Sequence, residues 1–160
     1  MNVKVNFDAT FDKQHRKSYA GIIIRNSTGQ DLKVKVYNNG YIPAMFASEA
    51  LACVQAIRFG VESSFLRVEV EGGTLTIIKK IQSEKEEIYK IRAYISNAKR
   101  LRSNFITCKF KHARRQTKKV AHIIAKEGLN KYANTYLANS LSSLVAWAVE
   151  DDIQGGGRGS

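Results

Sequence analysis

The sequence predicts an α/β domain: a five-stranded mixed sheet with helices packed on both faces. Two observations carry this. The hydrophobic periodicities run in the order βββαβααβα, so three strands joined by tight turns are followed by strands separated by helical crossovers, which together make a mixed sheet. The chain has 160 residues, of which 44% are hydrophobic and 25% charged. That suits one domain with a real core.

Residues 3–7 alternate polar and apolar side chains as a first strand, ending at Asp8. Ala20-Gly21-Ile22-Ile23-Ile24 is continuously apolar, a second strand buried on both faces. Asn26-Ser27-Thr28-Gly29-Gln30 has hairpin-turn chemistry. In the third strand Leu32, Val34 and Val36 alternate with Lys33, Lys35 and Tyr37, and Asn38-Asn39-Gly40 ends it. Pro43, the only proline, stands before a helix over 47–61 that Ser48 is placed to cap. Its face of Phe46, Ala50, Cys53 and Ile57, widened by Leu51 and Val54, marks it as deeply buried. A fourth strand over 66–71 stops at Gly72-Gly73.

A short helix over 74–82 turns Leu75, Ile78 and Ile81 inward. A longer one over 84–102 opens with Glu84, Glu86 and Glu87 and closes with Lys99, Arg100 and Arg102, which matches the helix dipole. The fifth strand spans 105–110. The next helix, over 116–128, buries Val120, Ala121, Ile124 and Ala125, with Gly128 as its C-cap. The core domain is thus expected over 3–128. A C-terminal extension follows over 129–153, where Tyr136, Leu141, Leu144, Val145 and Ala148 suit a helix of poor period. Residues 154–160, rich in glycine, make a flexible tail.

The net charge is +12. From Lys99 to Lys119 nine residues are basic (Lys99, Arg100, Arg102, Lys109, Lys111, Arg114, Arg115, Lys118 and Lys119) and none is acidic. A field of one sign is costly by self-repulsion, so an anionic partner is expected, with a merely solvated basic face as the plainer alternative. No segment approaches the roughly 18 apolar residues of a membrane span. The first residues suit a strand rather than a signal peptide. Cys53 and Cys108 each sit in an apolar run, which favours reduced thiols over a disulfide. An intracellular place, nucleus or cytoplasm, is expected rather than secretion. There is no zinc spacing, phosphate loop, Gly-x-Gly-x-x-Gly or Gly-x-Ser-x-Gly.

Five pieces in order carry a specific likeness. Lys4-Val5-Asn6-Phe7-Asp8-Ala9-Thr10-Phe11, Tyr19-Ala20-Gly21-Ile22-Ile23-Ile24-Arg25-Asn26, Ala47-Ser48-Glu49-Ala50-Leu51-Ala52, Val68-Glu69-Val70-Glu71-Gly72 and the stretch 112–125 fall on matching elements. The chain resembles the ribonuclease H type-1-like, reverse-transcriptase-like domains common in plant genomes. The resemblance implies the ribonuclease H-like fold and two-metal hydrolysis of RNA–DNA hybrids, with Mg²⁺ held by four carboxylates.

On that resemblance Asp8 and Glu49 match the first two carboxylates, catalytic and metal-holding. A strand-end aspartate and a first-turn glutamate are the plainer alternatives. His112 matches a loop histidine near the scissile phosphate, or is simply a turn residue. At the third position Gly73 stands where the family has aspartate, and Glu71 lies two residues too early to replace it. At the fourth, His122 stands where the family has aspartate or, in many plant relatives, histidine. Imidazole suits Mg²⁺ poorly, and Lys118 lies one turn before it. Mg²⁺ binding is therefore expected to be weak or absent.

Three readings follow. The first is a nucleic-acid-binding module for hybrids or other duplexes with impaired cleavage, a pseudoenzyme. The second is an active hybrid ribonuclease using Asp8, Glu49 and improvised ligands. The third is a protein-interaction domain that kept only the fold. The basic run favours the first over the third, and Gly73 with His122 favours it over the second.

Overall fold

The computed structural model describes residues 1–40, 42, 45–72, 89–111, 115–131 and 136–138. Six strands form one sheet: β1 (Asn2–Asp12), β2 (Lys17–Asn26), β3 (Asp31–Asn39), β4 (Arg67–Gly72), β5 (Thr107–Lys111) and β6 (Tyr136–Ala138). Their order is β5-β4-β1-β2-β3-β6. The β1–β2, β2–β3 and β3–β6 pairs are antiparallel, while β4 runs parallel to both β1 and β5. The mixed sheet is as expected, with one short edge strand more.

Three helices are described: α1 (Met45–Glu62), α2 (Tyr89–Arg102) and α3 (Arg115–Lys131). Alternation along the strands decides what each covers. Val3, Val5 and Phe7 join Ile22, Ile24, Val68 and Val70 in a core that α1 closes with Ala50, Cys53, Val54 and Ile57. α2 packs on α1. The opposite face of β2 carries Tyr19 and Ile23, which meet Val34, Val36 and Ile124 of α3 beneath a second, smaller core. The apolar run of β2 is therefore buried on both sides, as its composition requires. Helices lie on both faces of the sheet.

Four local expectations are corrected. Ser48 is not a cap: α1 begins at Met45, and the Ser48 hydroxyl donates back to the Met45 carbonyl at 3.2 Å. Such a bond inside the first turn satisfies the hydroxyl without stopping the helix. Gly128 is not a C-cap either. It lies within α3, where an added Cβ would come 2.5 Å from Val36 Cγ1 and 3.0 Å from Tyr19 Cδ1, so its role is close approach to the sheet. The fifth strand starts at Thr107, and Phe105 instead folds in toward Gly60 under α1. Within the extension 129–153, where a helix was expected, Tyr136–Ala138 is a strand paired with Val34, Lys35 and Val36. Backbone pairing to an open edge outweighs a weak helical period.

Cys53 and Cys108 are free thiols. Burial pushes Cys108 up to about 11 and Cys53 higher still, so neither is a nucleophile at neutral pH. No helix among the described residues is long and apolar enough to cross a membrane. The predicted helix 74–82, the start of the helix predicted from residue 84, and Pro43 lie outside the described residues.

Candidate functional site

The site grows from the pairing of β1 and β2, which sets Asp8 opposite Gly21. A Cβ at Gly21 would strike the Ala121 carbonyl oxygen, lie 2.5 Å from the Ala125 nitrogen and 2.8 Å from Ile124 Cβ. Glycine is thus what lets the α3 backbone rest directly on β2. With Ala121 seated there, the next residue, His122, reaches the neighbouring strand. His122 Nδ1 lies 2.8 Å from Asp8 Oδ2. The Asp8 side chain is only 7% exposed and the His122 side chain 49%. A buried carboxylate needs a partner, and this imidazole is one.

Glu49 is half-buried on α1, which packs on the sheet face opposite α3. β4 ends at Gly72, whose φ is +149° and where a Cβ would collide with the Phe7 carbonyl oxygen. That φ and that close approach are what call for glycine at this position. Gly73 and His112 lie outside the described residues, as do Arg114 and the side chains of Arg115 and Lys118.

Glu71 serves a different cluster, which sequence reasoning missed. Lys4, Asn6 and Asp8 share one face of β1, and the parallel register sets Asn6 beside Glu71 and Lys4 beside Glu69. Lys4 Nζ is 3.8 Å from Glu71 Oε1, and Lys111 Nζ is 2.7 Å from Glu69 Oε1. Burial raises Glu69, but its hydrogen bond to the Lys111 ammonium and the charges of Lys111 and Lys4 outweigh that and leave it below the usual carboxylate range. Burial holds Glu71 above that range, and the neighbouring Glu69 adds to it. The signal was the two-residue alternation of Lys4, Asn6 and Asp8 against Glu69 and Glu71.

The raised Glu71 gives a test with a definite sign. The folded state holds this proton more tightly than the unfolded chain does. Its contribution is therefore complete below the ordinary value of 4.5 and is lost as pH rises through the folded value. Glutamine fixes the uncharged form. Glu71→Gln is expected to raise the melting temperature at neutral pH and to leave it unchanged well below pH 4.5. Thermal unfolding at the two pH values checks this, and a loss of stability at neutral pH would contradict it.

The described residues of this site do not by themselves make a two-ion cage. Asp8 Oδ2 is engaged by an imidazole, and Glu71 answers Lys4 and Glu69. Among the described residues no three carboxylate, imidazole or thiol groups gather as a metal ion would need.

A family model described as reverse transcriptase-like matches residues 6–128. The chain belongs to the reverse transcriptase-like family. Solved structures agree on the fold. The RNase H1 of Halobacterium salinarum NRC-1 superposes with a TM-score of 0.74 at 18% identity, covering 81% of this chain and 98% of its own. The N-terminal RNase H domain of a Mycobacterium tuberculosis protein gives 0.71 at 12%, covering 79% and 98%. A compost-derived RNase H1 in complex with an RNA/DNA hybrid gives 0.69 at 16%, covering 81% and 98%. No curated protein matches in sequence.

The described basic side chains of the run 99–119 lie on α2, β5 and α3. Arg100 and Arg102 are exposed on the last turn of α2, with Lys99 half-buried beside them, and the Arg102 guanidinium stands 5.8 Å over the Phe110 ring. Lys109 and Lys111 are exposed on β5 itself, and Lys119 is exposed on α3. Lys111 is spoken for by Glu69.

Proposed function

We propose that this domain binds a nucleic-acid duplex, an RNA–DNA hybrid or another, and cleaves it slowly or not at all. The observation that carries the reading is the Asp8–His122 contact at 2.8 Å. In the metal-dependent reaction that the resemblance implies, both of these positions would hold cations. Here they hold each other. Asp8, Glu49 and His112 remain the positions from which any residual catalysis would come, and Asp8 and Glu49 the ones that would touch Mg²⁺. Groups that act as a unit lose most of the rate when one is gone, and Gly73 brings no side chain.

Binding rests on the basic run and on the hybrid seen in the compost-derived RNase H1 complex. Phosphate contacts position a duplex without reading its sequence. The runs 4–11, 19–26 and 47–52 favour the plant branch of the family, and two free thiols favour nucleus or cytoplasm.

Two measurements test this reading. Fluorescence anisotropy with a hybrid duplex is expected to show affinity that falls steeply with salt. Replacing Arg114, Arg115, Lys118 and Lys119 by alanine is expected to flatten the slope by about 0.9 per lost contact. With Mg²⁺, hybrid cleavage is expected to match that of Asp8→Asn. Robust turnover abolished by Asp8→Asn overturns the impaired reading. No binding at low ionic strength overturns the nucleic-acid reading and leaves protein interaction.

A further inference from the structure

The starts of β1, β4 and β5 lie side by side because β4 is parallel to both neighbours. The register aligns Asn2, Arg67 and Thr107 in one row, and Lys4, Glu69 and Lys109 in the next. All six project from the face that carries α3. That helix packs on β1, β2 and β3, and its main contacts stop short of β4 and β5. A cavity of about 260 Å³ opens there, with Lys4, Ser27, Arg67, Glu69, Thr107 and Lys109 among its walls.

Its charges do not balance from within. Glu69 is committed to Lys111 at 2.7 Å, and Lys4 is 3.8 Å from Glu71. Arg67 and Lys109 are exposed and make no ion pair among the described residues. Two unpaired cations beside a third, around one concavity, repel each other unless an anion joins them. A guanidinium fork and an ammonium suit the oxygens of a phosphate, and the Ser27 and Thr107 hydroxyls add uncharged donors.

We propose that this cavity binds a phosphate group. It is separate from the Asp8 site: Lys4 and Asp8 are four residues apart on one strand, roughly 13 Å. The phosphate is either that of a free nucleotide or one of a nucleic-acid backbone, and the probes below tell the two apart.

Backbone-amide NMR is recorded while inorganic phosphate, adenosine monophosphate or a hybrid duplex is added. At least one probe is expected to shift the amides of Ser27, Arg67, Thr107 and Lys109 saturably. Arg67→Ala combined with Lys109→Ala is expected to weaken that binding by about tenfold or more. Both side chains are exposed, so the variant is expected to melt as the wild type does. Saturation by phosphate and nucleotide alone identifies a free ligand; saturation by the duplex as well identifies a backbone phosphate. The proposal is overturned if no probe saturates these amides, or if saturation persists undiminished in the double variant. Phosphate binding here without duplex binding anywhere would sink the nucleic-acid reading and leave this site standing.

Discussion

Millimolar Mg²⁺ is expected to leave the melting temperature of the wild-type domain unchanged, while the Gly73→Asp, Lys118→Asn, His122→Asp triple variant melts several degrees higher with the ion than without. A ligand that binds only the folded state stabilises it by RT ln(1 + [L]/Kd), about 2.7 kcal/mol when the ion is present at a hundred times its Kd. For a chain of this size that is an upshift of about 5–11 °C. The triple change supplies two carboxylates, replaces a cation one helical turn from position 122 by a neutral amide, and releases Asp8 from its imidazole. Without Mg²⁺ the variant is expected to be less stable than the wild type, because Asp8 then faces another carboxylate in a buried place. Calorimetry with and without the ion measures both effects. A large Mg²⁺ shift in the wild type that disappears in Asp8→Asn would show that a working metal site survives, and the impaired-cleavage reading would fall.

The second large effect is expected at Gly21. Valine there meets the Ala121 carbonyl oxygen and the Ala125 nitrogen, which belong to the helix backbone and cannot rotate aside. Overpacking a core costs about 1–3 kcal/mol and occasionally more, and a backbone obstacle places this case at the upper end. Gly21→Val is therefore expected to lower the melting temperature by about 6–12 °C, taking the loss as about 3 kcal/mol. It is also expected to push α3 away from β2 and separate His122 from Asp8, which the His122 ring resonances report. Gly40→Val is the control: nothing lies within 4 Å of a Cβ there, and its melting temperature is expected to hold. If both variants melt alike, the close seat of α3 on Gly21 is not what orders this edge of the domain.

The two variants probe the same contact from opposite ends. Gly21 fixes the depth at which α3 lies, and His122 is the residue that this depth brings to Asp8. Neither residue carries the pairing alone. Gly21 permits the close approach, and His122 supplies the polar group that meets Asp8.

Much of the frame was legible beforehand. The alternation of β1 and β3, the unbroken apolar run of β2 and the stripe of α1 each follow from a period that burial imposes directly on the chain. Asp8 and Glu49 were placed by motif and stand on β1 and α1, although β1 does not end at Asp8 but runs on to Asp12. The errors were local and share a cause. Ser48 and Gly128 have the side chains of helix caps, but capping is only one of the uses a hydroxyl or a missing Cβ can have. The short strand Tyr136–Ala138 carries too few residues to show a period of its own. It exists because β3 offers an unpaired edge.

By itself, then, the sequence determined strands β1 to β5, helix α1 and the layering, since these depend on periods of two and of three to four; the family was legible from motif residues instead. On the resemblance it also set Asp8, Glu49, Gly73 and His122 at motif positions, which needs no coordinates. Only the tertiary structure decided which side chains stand together. That His122 meets Asp8 at 2.8 Å depends on residues 114 positions apart in the chain. That Glu71 answers Lys4 depends on the parallel register of β4 on β1, and that Arg67 and Lys109 border one cavity depends on the matching register of β5. Contact between side chains is set by how whole elements pack, and no local pattern along the chain encodes that distance.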